Sequence, residues 1–420
     1  MDDLVEGDRI ELTVGAPAHG GHCVARFGGP HGRVIFVRHA LPGERVTAEI
    51  TERHRGYLRA DAVEIHEASP DRVEPPCRFA HPGGCGGCDL QHVSADAQLR
   101  WKTQVVREQL SRLGGLTPEE QDKIFVRTEP LGTGLLNWRS RIRYAVDAAD
   151  RPGLLQHRSH QVVPIDRCLI AHPAIQELDL LRRSWPGSAA LQAVASSGGD
   201  VVTLERPAGT SGSADGDPTE EPNGTGLARL AGPERVTEVV GGRTWEIPPD
   251  SFWQVHPEAA ATLTTAVLEM LRPAEGEVTW DLYGGAGLFA AAVAPLTGAR
   301  TTVVESSPAG VAAARANLAD LPRVEVVQAA VETALSRRRI AGPVDLVVLD
   351  PPRAGAGAGV VRGIAAAEPR AVVYVACDPA ALARDVKTFR SLGWQLAELR
   401  AFDCFPMTQH VECVALFLPA

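Results

Sequence analysis

No stretch of this chain approaches the ~20 consecutive apolar residues that a bilayer-spanning helix needs. Asp, Gly or Pro interrupts even its longest apolar strands. The opening residues, MDDLVEGDRI, are acidic and lack the apolar centre of a secretory leader. Both absences lead us to expect a cytoplasmic protein with no membrane partner. Positive charge is also short, with 42 Lys and Arg against 52 Asp and Glu, a formal net charge of −10. That weighs against a uniformly basic nucleic-acid-binding surface, although binding depends on where the cations sit. Arginines do gather locally, as Arg53, Arg55 and Arg59 and as Arg139, Arg141 and Arg143. No fixed-period repeat is visible, which excludes a solenoid. No C-x3-C-x2-C spacing occurs among the eight cysteines, which disfavours radical chemistry at a cluster.

The 420 residues are 44% hydrophobic and 22% charged, enough to bury two to four domain cores. Residues 1–68 hold five short alternating runs, RIELTV, HCVARF, RVIFVR, ERVTAEITE and LRADAVEI, separated by Gly/Pro punctuation. That spacing suits a small OB-type β-barrel or another small β module. Prolines in SPDRVEPPC mark a boundary, and residues 69–250 read as a β-rich central domain. Within it, SADAQLRWKTQVVREQLSRLGG has helical periodicity and a Gly-Gly stop; a helix over about 94–114 is expected to pack on the catalytic domain. Residues 207–226 are low-complexity Gly/Ser/Asp/Pro/Thr and read as a disordered loop.

Residues 251–420 alternate strand and helix, predicting an α/β domain with a mostly parallel, Rossmann-like sheet. Strands are expected at VTWDLYG, TTVVES, VEVVQAA, VDLVVLD and AVVYVAC. WQLAELRAF and VECVALFLP are joined too closely for a helical crossover and should pair antiparallel. Seven strands with the last antiparallel is the layout of class I methyltransferases. The turn in WDLYGGAGLF, which contains Gly285, opens a helix without a Lys/Ser phosphate signature. Glu305 ends the next strand, where a carboxylate can accept both ribose hydroxyls. Together they favour S-adenosylmethionine over NAD, unless Glu305 is only a solvated strand-end acid. Asp350 ends the fourth strand before Pro-Pro-Arg, and there it either faces the cleft or caps a helix.

Cys377 ends the fifth strand, with Asp378 as a plausible N-cap and Pro379 at the first helical position. A helix N-terminus favours thiolate, the nucleophilic form. Such a thiolate could add to C6 of a uracil and make C5 electron-rich enough to accept a methyl group. A base must then remove the C5 proton, and Glu412 at the start of the last strand is the candidate. Cys404 and Cys413 read as structural thiols. Cys77, Cys85, Cys88 and the remote Cys168 offer four sulfurs; spacing leaves a [4Fe–4S] cluster and structural zinc equally open, and free thiols are a third reading.

DPPR at 350–353, YVACDPAALARD at 374–385 and FPMTQHVECVALF at 405–417 resemble, in order and spacing, the motifs of the RNA uracil-5-methyltransferase family. Its members methylate bacterial 23S rRNA or the T-loop of tRNA. The likeness covers nearly the whole chain and implies an N-terminal RNA-binding TRAM barrel. It also implies cofactor contacts from Gln254, in SFWQVHP, and from Tyr283, and a [4Fe–4S] cluster rather than zinc on the four cysteines. By the same resemblance an RNA partner follows, rRNA ahead of tRNA, and we expect a monomer. The chain departs from the family in Leu288 and Ala330, where polar residues are usual, and in Asp378, where Asn is common. That acid places an added negative charge beside the thiol. Two other functions fit the residues less fully: a methyltransferase acting on a small molecule or protein, and a non-catalytic RNA-binding protein. Arg139, Arg141 and Arg143 would contact RNA or form a solvated strand face.

Overall fold

The computed structural model of the chain describes residues 4–124, 126–132, 134–209 and 226–420. The loop expected over 207–226 lies, but for residues 207–209 and 226, outside the described residues.

The N-terminal residues form a six-stranded sheet in the order Arg9–Thr13, Arg45–Arg53, Tyr57–Glu67, Arg33–Arg38, His22–Phe27 and Pro17–Ala18. Arg45–Arg53 and the first half of Tyr57–Glu67 alternate partly exposed and buried side chains, the period-2 signature of a sheet with one face on a core. The sixth strand, Pro17–Ala18, is too short to leave any periodicity in the sequence. A second six-stranded antiparallel sheet occupies the middle of the chain, centred on Arg141–Val146 and Ser188–Ala195.

The C-terminal sheet has eight strands. Its order is Val324–Gln328, Thr301–Glu305, Thr279–Leu282, Leu346–Leu349, Ala371–Ala376, Glu412–Pro419, Trp394–Asp403 and Thr128–Pro130. The first five are parallel, and Glu412–Pro419 runs antiparallel between Ala371–Ala376 and Trp394–Asp403, as the short connection requires. Thr279–Leu282, Leu346–Leu349 and Ala371–Ala376 are buried at every residue, because helices cover both faces of a parallel sheet. The eighth strand comes from earlier in the chain and pairs parallel with Trp394–Asp403. Three residues, TEP, carry no pattern that could have announced it.

The helix Ala95–Arg112 joins two cores. Its Ala97, Trp101 and Val105 pack into the N-terminal barrel, whereas Val106 and Leu110 pack with the catalytic sheet and its helices. Chain order along the C-terminal sheet reverses between Thr279–Leu282 and Leu346–Leu349, and a crevice opens at the carboxyl ends of the strands there.

Candidate active site

The parallel strands deliver their carboxyl-terminal residues to one edge of the sheet. Thr279–Leu282 leads into Tyr283 and the Gly-rich turn, Leu346–Leu349 into Asp350, and Ala371–Ala376 into Cys377. The antiparallel last strand begins at that edge instead of ending there. Ala376 pairs with Cys413, so carrying the register one step further sets Cys377 against Glu412. Nucleophile and base candidates thirty-five residues apart are thereby made neighbours by strand pairing.

Tyr283 takes a left-handed φ of 63°, a conformation that costs a non-glycine residue energy and persists only where its surroundings hold it. Gly284 has no room for a side chain, since a Cβ there would sit 2.5 Å from Val303. Glu305 secures the turn, accepting from the Gly285 N–H at 3.0 Å and the Ser307 N–H at 2.6 Å. It is thus held by backbone donors, with lone pairs left over, and is more than a solvated strand end. Asp281, which the sequence reading passed over, lies beneath the turn and accepts from the Ala290 N–H at 2.8 Å. Its other carboxylate oxygen is buried and unpartnered, and burial pushes its pKa up to about 7. The signal was available: one acid inside an otherwise apolar strand, WDL. Gln254 is buried in the segment entering the helix Ala259–Leu271.

Burial also pushes Asp350 up to about 7. Asp350 caps no helix, because the next one, Gly357–Ala365, starts after Ala356. Glu412 is 2% exposed, with one oxygen buried and unbonded. Burial first and Asp350 second raise its pKa well above the carboxylate range, and Arg353 opposes them. Asp378 caps the helix Pro379–Ser391, accepting from the Ala381 N–H at 2.6 Å. Even so, burial works against the thiolate preference expected at a helix start. Burial pushes the Cys377 thiol far up, Glu412 and Asp350 add to the rise, Arg353 opposes it and Asp378 contributes further. Desolvation and three acids act against a helix dipole whose effect fades within one turn.

Cys377, Arg353 and Asp378 line a cavity of about 690 Å³ that also takes in His19, His22, Phe36 and Arg59 from the barrel and Gln156 to His160 from the central sheet. A second cavity of about 220 Å³ shares His22, Arg59 and Arg158 and adds Arg38. Positive groups crowd one another here: His22 is pushed down to about 2 by burial, then by Arg59 and Arg38. Arg158, at a left-handed φ of 52°, is lowered by burial and then by Arg59. A chain of net charge −10 therefore concentrates cations in the cleft that leads to Cys377.

The arginines singled out at 139–143 do other work. Arg141 is fully buried, ion-paired with Glu238 at 3.3 Å, and donates to the carbonyls of Pro249 and Ser251. It is neither an RNA contact nor a solvated residue, because its strand faces the core and its guanidinium holds the segment leading to Gln254. Arg143 donates to Gln192 and Arg139 to the Arg141 carbonyl.

The residues of the two ends of the chain match known families. A TRAM domain is recognised over residues 4–63, and the tRNA (Uracil-5-)-methyltransferase family over residues 237–419. An uncharacterized RNA methyltransferase of Streptomyces coelicolor is 47% identical, over 99% of this chain and 93% of its own length. Another, of Streptomyces avermitilis, is 49% identical over 99% of each. The chain belongs to the TRAM-containing RNA uracil-5-methyltransferase family. Its members are S-adenosylmethionine-dependent RNA methyltransferases, and so is this chain. Among solved structures, the Pyrococcus abyssi tRNA (uracil-54, C5)-methyltransferase in complex with S-adenosyl-L-homocysteine superposes with a TM-score of 0.70 at 22% identity, covering 97% of this chain and 99% of that one. The fold is that of a class I methyltransferase with an N-terminal TRAM barrel. Residues around the Gly-rich turn suit a cationic donor, with the unpartnered Asp281 oxygen and the raised acids all gaining from a positive charge nearby.

The methyltransferase also brings its four clustered cysteines together. Cys77, Cys85, Cys88 and Cys168 line one cavity of about 50 Å³, with Arg139, Arg143 and Arg167 around it. Burial pushes Cys85 up to about 12 and Cys88 well above its usual value. Among the described residues, however, no three His, Cys, Asp or Glu side chains stand in an arrangement that could hold a metal ion. The four cysteines thus share a cavity, with no formed metal centre among the described residues. Cys404 and Cys413 are fully buried among apolar neighbours.

Proposed function

We propose that this methyltransferase acts on a uridine of structured RNA by covalent catalysis, with Cys377 as nucleophile and Glu412 as base. One observation carries the reading: strand register opposes Cys377 and Glu412 at the sheet edge where Asp350 and the Gly-rich turn also end. The Cys377 sulfur adds to uracil C6, and the C5=C6 electron pair moves onto the C4 carbonyl oxygen. C5 then takes the methyl group of the sulfonium, leaving S-adenosylhomocysteine. Glu412 removes the C5 proton, the enolate collapses and the C6–S bond breaks to free the thiolate. A carboxyl pushed upward by burial is a stronger base than a solvated one, which suits a carbon acid. Donor binding places positive charge among Asp281, Asp350 and Glu412 and favours release of the centre's protons. Gln254, Tyr283, Gly285, Glu305 and Asp350 are assigned to hold the donor.

The cationic cleft suits an extruded nucleotide flanked by phosphates, which base-modifying enzymes require. We assign 23S rRNA as the substrate, with tRNA as the alternative that the name of the family favours. The enzyme is read as a cytoplasmic monomer. Nucleoside mass spectrometry of rRNA and tRNA from a deletion strain tests the assignment, with loss of 5-methyluridine from rRNA expected. RNA carrying 5-fluorouridine should become covalently attached to the enzyme; failure to do so while RNA and donor both bind would falsify the mechanism.

The shared cavity supports a [4Fe–4S] cluster on Cys77, Cys85, Cys88 and Cys168, with zinc as the alternative. Thiols this buried are stabilised as thiolates only by a cation, which a cluster supplies. Anaerobically purified protein should absorb broadly at roughly 400 nm, as thiolate-ligated iron–sulfur centres do. Stoichiometric zinc without iron would replace that reading.

A further inference from the structure

The TRAM barrel reaches the nucleophile loop through His19. Ala18 pairs with His22, so His19, Gly20 and Gly21 form the tip of a tight hairpin. The hairpin is aimed by its surroundings: Gly21 has a φ of 75°, and a Cβ on it would lie 2.9 Å from Asp89. From this tip the His19 Nε2 stands 2.9 Å from Asp378 Oδ2, with the two side chains 35% and 22% exposed. Asp378 is held below its usual pKa by that contact, although burial opposes it, so the carboxylate is ionised and can only accept. The Nε2 must therefore carry the proton and donate. Asp378 adjoins Cys377 and is one of the charges that push its thiol up.

We propose that His19 is a positioning residue for the methylation reaction: its bond to Asp378 offsets the negative charge this chain carries beside Cys377 and ties the TRAM barrel to the nucleophile loop. The inference rests on Cys377 being the nucleophile. The hairpin donor compensates for the acid in place of a neutral side chain, so docking of the barrel and readiness of the thiol become one event. The other charges facing Cys377, those of Glu412, Asp350 and Arg353, are common to every variant below and cancel from the comparison.

The test is a double-mutant cycle on the full-length enzyme without RNA. It reads the rate of iodoacetamide alkylation of Cys377 at fixed mildly alkaline pH, followed by mass spectrometry of its peptide. Asp378→Asn should accelerate alkylation in both backgrounds, and by a further roughly three- to tenfold in His19→Ala compared with His19 intact, the change expected from a thiol pKa shift of about half to one unit. His19→Gln, which keeps an N–H donor, should fall between the two. Any steric opening caused by losing His19 affects both Asp378 forms equally and drops out. If the Asp378→Asn factor is the same with and without His19, in variants whose thermal unfolding matches wild type, the proposal is overturned. That result would leave the 5-fluorouridine adduct intact, whereas a missing adduct with a coupled cycle would sink the catalytic assignment and the role of His19 in methylation with it, leaving only the electrostatic link.

Discussion

Cys377 and Cys88 are both thiols that burial pushes far above their ordinary pKa, yet their surroundings make them different chemical objects. Cys377 opens onto a large cleft and faces carboxyl groups, with one arginine opposing them. Cys88 faces a small cavity of about 50 Å³ shared with three other thiols and ringed by arginines. The first borders a space large enough for a nucleotide; the second borders one shared only with side chains of its own domain. Reactivity follows access and neighbouring charge, and burial alone does not separate a catalytic cysteine from a structural one.

The sharpest way to break this comparison is to remove each sulfur. Cys377→Ala should reduce 5-methyluridine formation to background, whereas Cys88→Ala should abolish the absorbance near 400 nm, measured on the same RNA substrate and by spectroscopy respectively. Glu412→Gln should lower turnover by about 10²–10⁴-fold, the usual worth of a general base. It should also accumulate a covalent RNA–enzyme complex on denaturing gels, because addition proceeds and elimination does not. A quantitative loss without any adduct would move the base elsewhere.

Two buried ion pairs extend the comparison from thiols to arginine and lysine. Arg141→Ala strands Glu238, and Lys102→Ala strands Asp403; each should cost about 3–5 kcal/mol in denaturant unfolding, as removing one partner of a buried pair does. Arg158→Ala, at the cationic cleft, should leave stability unchanged and weaken RNA binding, lowering the slope of log affinity against log salt by ~1. An unchanged slope would take Arg158 off the RNA path.

The acids at the donor site give a pH signature. Asp281 and Asp350 titrate near 7 when folded, against about 4 unfolded. The folded protein therefore binds more protons between those values, and the stability these groups contribute, full below about pH 4, is lost as pH rises through 7. The melting temperature of the donor-free protein should fall by a few degrees (~2–5 °C) between pH 5 and 8, within the range small stability changes produce. Asp281→Asn should flatten that slope, and S-adenosylmethionine should stabilise more at pH 8 than at pH 5.

Legibility in the sequence followed periodicity. Strand–helix alternation after residue 251 is written in runs such as VDLVVLD and AVVYVAC, and it placed Gly285, Glu305, Asp350 and Cys377 at one sheet edge. Glu412 was readable because a short connection forces antiparallel pairing. Asp281 was missed, since its strand reads as core and one acid there looks incidental until its donor, the Ala290 N–H, is seen. The arginine cluster misled for the opposite reason: Arg141 has the composition of a binding surface, and only its partner Glu238, ninety-seven residues away, makes it interior. Thr128–Pro130 and the His19 contact depend on tertiary proximity without local pattern, so no reading of neighbours along the chain could supply them.

The helix Ala95–Arg112 ends up with obligations on three sides. Its Gln98 accepts from the Met407 N–H at 2.9 Å, and Lys102 pairs with Asp403 and donates to the Phe405 carbonyl at 3.0 Å, so it grips the first half of the loop that precedes Glu412. Cut away at residue 251, the catalytic segment would lose that grip, its eighth strand and the covering of Asp403 together. Modular shuffling of this enzyme, by grafting its barrel or borrowing its methyltransferase half, must carry the helix along as shared property of both.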